Sequence, residues 1–181
     1  ESEYYGAGNA FFVINNTCYI LTTTKFISFS PLTGNSFIPI GSTPFQYRIQ
    51  SSGLTFDNHG YVILGKRNEI PSNKFYCFNV ETLSWEEKPE MPGEQRYSGT
   101  IFSIQDKIYA GLGYAGHTAF SNIFEYCPET NSWQKEFNFQ GPLRFNPVYF
   151  VIDNKMYFGT GRINNQYFTN DFWVFDPEKY R

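Results

Sequence analysis

The sequence has little charge and no long apolar run. Charged residues make up 17% of its 181 residues, and the formal net charge is -3. A phosphate backbone is bound by a clustered basic face, so no nucleic-acid partner is expected. The longest purely apolar run, residues 148–152, is far shorter than the roughly 20 residues that cross a bilayer, so no membrane span is expected. The chain begins with Glu1, which leaves a removed leader or missing upstream sequence open.

Cysteine is scarce as well. Cys18, Cys77 and Cys127 form no C-x-x-C motif and no regular framework, a pattern that predicts buried free thiols. Aromatic residues are abundant instead, at 20% of the chain, and they are accompanied by 15 glycines and 10 prolines. Aromatic side chains suit pleated, half-buried strands, while glycine and proline supply frequent turns. The composition therefore predicts an all-β protein.

An internal repeat organises the whole chain. Arg48, Arg96 and Arg144 are spaced 48 residues apart, and so are Trp85 and Trp133. The surrounding sequence recurs at the same spacing in segments 56–65, 104–113 and 152–161, with a fourth copy at 14–21 that is offset by 42 residues. A fixed period of this length is typical of propellers and other repeat architectures.

Each repeat reads as four antiparallel strands. The turn between the first two strands carries Asn58, Asp106 or Asn154, residue types that tolerate the left-handed backbone of tight hairpins. A variable loop follows the second strand, and the third strand is centred on Phe78, Tyr126 or Phe175 before the tryptophan strand. Four such strands form a propeller blade. The predicted blades are approximately residues 5–41, 42–89, 90–138 and 139–181, and the predicted strands of the third lie near 98–105, 107–112, 122–127 and 132–137.

The repeat resembles the kelch motif. The resemblance rests on D-x-K-x-Y-x-G-x-G at 153–161, N-D-x-W-x-F-D-P at 170–177 and T-x-x-W at 130–133. It implies a β-propeller of the galactose-oxidase-type superfamily, closest in style to bacterial secreted and surface proteins, and it favours a periplasmic or cell-surface location. Two features depart from the pattern. Leu112 and Thr160 separate glycines that are adjacent in many copies, and Gly6 replaces the first arginine.

The number of blades leaves two architectures open. The length and the 48-residue period give about 3.8 units, and the fourth unit stops at Arg181, before its outer strand. Propellers close with 4–8 blades. One interpretation is a contiguous part of a larger propeller, with neighbouring blades or domains as partners. The other is a complete small ring or an assembly of half-rings.

The residues that enzymes of related fold require are mostly missing. Residues 111–116 match G-x-G-x-x-G, but a loop and a strand follow rather than the helix that a dinucleotide site needs. His59 and His117 fall at opposite ends of a blade, so no copper site and no cofactor are expected. The predicted function is a non-enzymatic binding or scaffolding propeller. The alternative is part of a kelch-type carbohydrate-active enzyme, epimerase-like or oxidase-like, with catalytic residues outside this chain.

The candidate binding residues lie at one end of the blades. Arg48, Arg96 and Arg144 each start an innermost strand, and arginine binds carboxylates bidentately. In kelch adaptor domains that resemble this chain, arginines near this position line the central mouth. A structural role in the repeat is the other interpretation. The loops at 66–73, 114–121 and 162–169 share this end and differ among the copies, and they contribute the candidates Tyr114, His117, Arg162, Gln166 and Tyr167. The expected ligand is a protein or glycan that is anionic or rich in hydroxyl groups, whereas Trp85 and Trp133 are assigned to blade packing.

Overall fold

The computed structural model contains four antiparallel sheets arranged as the blades of a propeller, which confirms the predicted fold class. It describes residues 10–32, 34, 36–45, 48–164 and 167–180. In this part of the chain the helical content is the short 3-10 turn Pro177–Tyr180, and no helix is long and apolar enough to cross a membrane.

The sheets follow one another along the chain. The first blade contains β1 (Phe11–Ile14), β2 (Thr17–Leu21), β3 (Phe26–Phe29) and β4 (Ile38–Gly41), and the second contains β5 (Ile49–Phe56), β6 (His59–Arg67), β7 (Ile70–Pro71), β8 (Phe75–Asn79) and β9 (Ser84–Lys88). The third contains β10 (Thr100–Ile104), β11 (Lys107–Gly111), β14 (Asn122–Cys127) and β15 (Ser132–Asn138), with the small hairpin β12 (Tyr114–Ala115) and β13 (Thr118–Ala119) in its loop. The fourth contains β16 (Val148–Ile152), β17 (Lys155–Gly159) and β18 (Phe172–Phe175). All four strands predicted for the third blade are present.

The hairpin turns between first and second strands have the expected chemistry. Asp57 and Asn58 adopt φ values of 46° and 57°, and Asp153 and Asn154 adopt 49° and 58°. Two successive left-handed residues form the turn whose twist matches that of the flanking strands, and Asp and Asn tolerate this conformation better than most residues. These turns fix the register of each hairpin, and therefore which side chains face each neighbouring blade.

The hydrophobic core lies between consecutive blades. Along β10, Ile101 packs into the cluster shared with the second blade, whereas Phe102 packs into the cluster shared with the fourth. The tryptophans lie in these layers, as predicted. The Trp133 indole N–H donates to the Pro89 carbonyl at 2.9 Å, while the Trp85 indole N–H is buried without a partner among the described residues.

A hydrogen-bonded series joins the blades at the start of their inner strands. Gln50, Ser98 and Asn146 occupy the same repeat position and all have left-handed φ values, of 57°, 57° and 51°. The Ser98 N–H donates to the Gln50 carbonyl at 2.9 Å, and the Asn146 N–H donates to the Ser98 carbonyl at 2.9 Å. These two hydrogen bonds link the second blade to the third and the third to the fourth, immediately beside the repeated arginines.

The first and last blades leave apolar side chains uncovered. Phe11 and Val13 on β1, and Phe150 and Ile152 on β16, are exposed. Within the described ranges these two outward faces do not cover one another. The four inner strands line an open central space of about 390 Å³.

Candidate functional site

The predicted loops and the repeated arginines do share one end of the propeller, here called the loop face. Its described part comprises Arg48, Arg96, Arg144 and the loops at 66–73, 114–121, 162–164 and 167–169. Tyr97 and Tyr114 pair through backbone hydrogen bonds of 2.9 and 3.0 Å, and Phe145 and Arg162 pair through two of 3.0 Å. Each loop is therefore held against the start of an inner strand.

Arg96 is fully buried within the third blade. Its Nη1 donates to the Asn122 side-chain carbonyl at 2.5 Å, and its Nε donates to the Glu94 backbone carbonyl at 2.9 Å. The guanidinium also lies over the Phe120 ring, with its carbon 4.0 Å from the ring centroid. Burial lowers the pKa of Arg96 to about 10, because a charge in a poorly hydrated site is disfavoured.

Arg144 is also fully buried, and it forms an ion pair with Asp171. Nη1 and Nη2 donate to the two carboxylate oxygens of Asp171 at 2.8 and 2.7 Å, a bidentate arrangement. Nη1 further donates to the Thr160 backbone carbonyl at 3.1 Å. Hydrogen bonding by the guanidinium holds the pKa of Asp171 well below its ordinary value. The pair ties the start of the third strand to the inner strand.

These two arginines correct the expected arrangement of the mouth. The repeat spacing correctly predicted which end of the blades they occupy. Their side chains, however, are buried and bind groups of their own blade. The physical reason is a hydrogen-bond acceptor at the start of the third strand, Asn122 in one blade and Asp171, immediately before the strand, in the next. Sequence reasoning missed both partners. The fourth-blade loop is one residue longer, because Gly111 pairs with Ile123 whereas Gly159 pairs with Phe172.

Arg48 differs from the other two arginines. Lys74 occupies the position in the second blade that Asn122 holds in the third, so a cation replaces the acceptor. Lys74 itself is bound by Glu87 and Glu90, at 2.5 and 2.7 Å. Arg48 is partly buried and forms no hydrogen bond or ion pair with the described residues, and its Nε is fully enclosed. Burial lowers the pKa of Arg48, and the nearby Arg67 lowers it further, while Tyr76 opposes them.

A hollow opens beside Arg48, and we call it the basic hollow. It has a volume of about 250 Å³ and is lined by Thr23, Ile49, Lys66, Arg67, Asn68 and Glu69. Lys66 and Glu69 form an ion pair at 2.9 Å, which leaves the charge of the exposed Arg67 uncompensated within the lining. Arg48, Lys74 and Tyr76 border a separate small cavity of about 10 Å³, enough for roughly one water molecule.

Aromatic contacts run across the rest of the loop face. The Lys66 ammonium lies 4.5 Å from the Tyr97 ring centroid, and Tyr97 contacts Tyr114 with centroids 5.8 Å apart. Tyr114 in turn packs on Phe145 at 4.5 Å and is only 4% exposed. Tyr114, a candidate binding residue by sequence, is therefore buried, and its ring joins adjacent blades.

The remaining predicted residues lie in the loops of the third and fourth blades. His117 is exposed at the tip of the β12–β13 hairpin, and Tyr167 is 63% exposed. The Arg162 guanidinium lies over the Phe168 ring at 4.7 Å. Gln166 falls outside the described residues.

The opposite end of the propeller holds a larger cleft that the sequence did not indicate. Its volume is about 850 Å³, and it lies between the second and third blades. The lining includes four carboxylates, from Asp57, Glu86, Asp106 and Glu129, together with His59 and Lys88. Over the described part of the chain, no group of three His, Cys, Asp or Glu side chains is placed to hold a metal ion. Two different blades build this cleft, so no single repeat carries its pattern.

Comparison with known proteins supports the architecture alone. No family model matches the chain, and no curated protein matches it. A solved structure described as "Structure of YjhT" superposes with a TM-score of 0.83 over 97% of this chain, at 15% sequence identity. The match covers 64% of that structure, so this chain spans less than two thirds of its length. In all, 234 solved chains match, and an architecture shared so widely does not by itself select a function. The chain is similar to these proteins as a β-propeller.

Proposed function

We propose that the protein is a non-enzymatic binding propeller, of kelch type by the resemblance of its repeat, whose loop face receives a partner through a carboxylate. Arg48 is the residue that anchors this group. The observation that carries the proposal is the contrast among three equivalent arginines: two are held by their own blade, and the third has a lysine where its partner should be.

The energetics of Arg48 favour an external acceptor. A partly buried guanidinium that makes no hydrogen bond to the described residues loses hydration without replacing it there. A carboxylate matches its planar fork and accepts two parallel hydrogen bonds. Each hydrogen bond to a charged group contributes about 1.5–3 kcal/mol, so a single bidentate contact is enough to dominate a weak interface.

The surroundings of Arg48 support the same ligand chemistry. Arg67 lies close enough to lower the pKa of Arg48, which means that the two positive charges repel each other. An anion between them relieves this repulsion. The variable loops on a rigid scaffold then contribute contacts specific to the partner, through exposed side chains such as Tyr167.

The test is a binding screen with acidic peptides and acidic glycans, followed by titration of the best ligand. Arg48→Ala should weaken binding about 10- to 100-fold, which corresponds to roughly 1.4–2.8 kcal/mol. Arg48→Lys keeps the charge but loses the fork, so it should bind at an intermediate level. The matched control is Lys179→Ala, which removes one positive charge from an exposed position outside the loop face and should leave affinity unchanged.

The two arms of the screen separate a peptide partner from a glycan partner. Equal binding by the intact protein and a folded Arg48→Ala variant refutes the anchor. Turnover of a sugar by the intact protein would refute the non-enzymatic role and support the alternative, a carbohydrate-active enzyme. Urea unfolding of each variant confirms that a loss of binding is not a loss of structure.

A further inference from the structure

The outward face of the fourth blade exposes residues whose repeat counterparts are buried. Phe150 is 42% exposed, whereas Phe102, at the same position of the third blade, is 2% exposed. Ile152 is 51% exposed against 3% for Ile104. The third-blade residues owe their burial to the fourth blade, since they share a core cluster with Met156 and Phe158. In the third blade, therefore, the equivalent face is covered by the next blade.

The third strand of the sheet shows the same contrast. Phe172 pairs with Gly159 as Ile123 pairs with Gly111, so the two occupy equivalent positions. Ile123 is fully buried, but Phe172 is 54% exposed. Phe172 also lies against Phe150, with ring centroids 5.8 Å apart. The exposed apolar residues and the partly buried Tyr157 thus form one patch on one side of the sheet, which we call the blade-4 face: Phe150, Ile152, Tyr157, Phe172 and Val174.

An aromatic stack on this face occurs in the first, third and fourth blades. Phe150 and Tyr157 stack at 5.8 Å with nearly parallel rings, as Phe12 and Tyr19 do in the first blade and Phe102 and Tyr109 do in the third. In those two blades, the stack receives an aromatic residue from the third strand of the following blade. Phe78 contacts the first stack at 5.9 and 5.5 Å, and Phe175 contacts the other at 6.0 and 5.8 Å.

The backbone hydrogen bonds between blades also indicate a further blade as the partner. Each step of the series Gln50, Ser98 and Asn146 joins one blade to the next through an N–H donated to the preceding carbonyl. The Asn146 carbonyl stands at the next step of the series. A further blade in the same geometry brings its own N–H to this carbonyl while it covers Phe150.

We propose that the blade-4 face is an interface for a fifth blade of the same repeat. That blade places an aromatic side chain on the Phe150–Tyr157 stack and donates a backbone N–H to the Asn146 carbonyl. The interface continues the three blade contacts already present in the chain, and it is independent of the loop-face function. The solved propeller that superposes on this chain extends beyond the match by about a third of its length, which is room for further blades.

The experiment extends the intact chain by one blade built from its own sequence. Residues 133–181 are appended after Arg181, which supplies β18 with an outer strand and adds a copy of the fourth blade. The appended copy carries Phe150→Asp, so that the native Phe150 peptide occurs once and the new outer face is polar. Phe150→Asp is then also made at the original position, in the 181-residue chain and in the extended chain. Ile70→Asp is the matched control, because Ile70 is 65% exposed on another blade.

Phe150→Asp should shift the melting temperature of the 181-residue chain by at most about 2 °C, because the side chain is already exposed. In the extended chain it should lower the melting temperature by roughly 10 °C, as substitution of a buried aromatic does in a protein of this size. Ile70→Asp should have a small effect in both. Hydroxyl-radical labelling of the peptide that contains Phe150 should fall several-fold in the extended chain.

Three results overturn the proposal. The first is a soluble extended chain in which Phe150 remains labelled as strongly as before. The second is a 181-residue chain that protects Phe150 by forming a dimer, with an extended chain that still dimerises, because the occupant is then a second copy. The third result applies if the extended chain is insoluble, and it is a wild-type 181-residue chain that stays monomeric at high concentration in light scattering. The proposal instead expects this chain to self-associate. Phe150→Asp should weaken that self-association, and Ile70→Asp should not.

Discussion

Replacing Asp171 by alanine removes the carboxylate that holds Arg144. The guanidinium is fully buried, and the bonds that join it to the two carboxylate oxygens measure 2.8 and 2.7 Å. Without Asp171 the arginine retains the Thr160 and Pro142 backbone carbonyls and the Thr169 hydroxyl, but no opposite charge. Breaking a buried pair from one side costs about 3–5 kcal/mol. The carboxylate is 30% exposed, so water enters in the variant and the expected cost is about 3 kcal/mol, the lower end of that range.

Asp171→Asn tests whether charge or shape matters at this site. Asparagine retains one carbonyl oxygen, and the third blade already uses this chemistry, since Arg96 donates to Asn122. The expected cost is therefore roughly half that of the alanine variant, about 1.5 kcal/mol. Asp153→Asn serves as the control, because Asp153 is exposed in a turn where asparagine is equally suited, and its cost should stay within about 0.5 kcal/mol.

The pH dependence follows from the lowered pKa of Asp171. An aspartate that is ionised more readily in the folded than in the unfolded chain contributes stability that is fully present above the unfolded pKa, about 3.9. This contribution is lost as the pH falls from about 4 towards the folded pKa. The difference in unfolding free energy between the wild type and Asp171→Asn should therefore shrink between pH 7 and pH 3.

Urea unfolding followed by tryptophan fluorescence measures these differences. With a slope of about 2–3 kcal/mol per molar urea, a loss of 3 kcal/mol lowers the midpoint by roughly 1–1.5 M. The Asp171→Ala variant must show this shift at neutral pH without a change in slope. A midpoint indistinguishable from that of Asp153→Asn would show that Arg144 is compensated by its backbone acceptors alone, and the structural role of the pair would be refuted.

Two further comparisons test the packing. Trp133→Ala should lower the unfolding free energy by about 3–5 kcal/mol, because the indole packs into the core between the second and third blades. His117→Ala, at an exposed hairpin tip, should cost almost nothing. Equal urea midpoints for the two variants would contradict the assignment of core and loop. Gly111→Ala places a Cβ 2.2 Å from the Asn122 backbone carbonyl oxygen and should lower the unfolding free energy by about 2–3 kcal/mol. Gly116→Ala meets open space at a φ of +59° and should cost about 1 kcal/mol. Calorimetric melting temperatures in the reverse order would contradict the close approach of the strands at Gly111.

The sequence by itself determined the unit of the fold. A 48-residue period, turn residues such as Asn58 and Asn154, and aromatic residues at fixed offsets predicted four-stranded blades, and the strands form where these signals place them. Local chemistry is sufficient here, because hairpin register depends on the turn and on the alternation of side chains between two faces. The same regularity located the end of the blades where the loops and arginines meet.

Only the tertiary structure decided what those arginines do. Three identical residues at identical spacing are bound differently, because each depends on the residue at the start of a strand some 26 residues later. That residue is Lys74, Asn122 or Asp171. One additional loop residue in the fourth blade shifts that position and hides the correspondence from sequence alignment. Burial and hydrogen-bond satisfaction are properties of groups that meet in space, so a repeat can fix where an arginine lies without fixing whether its charge is free to bind.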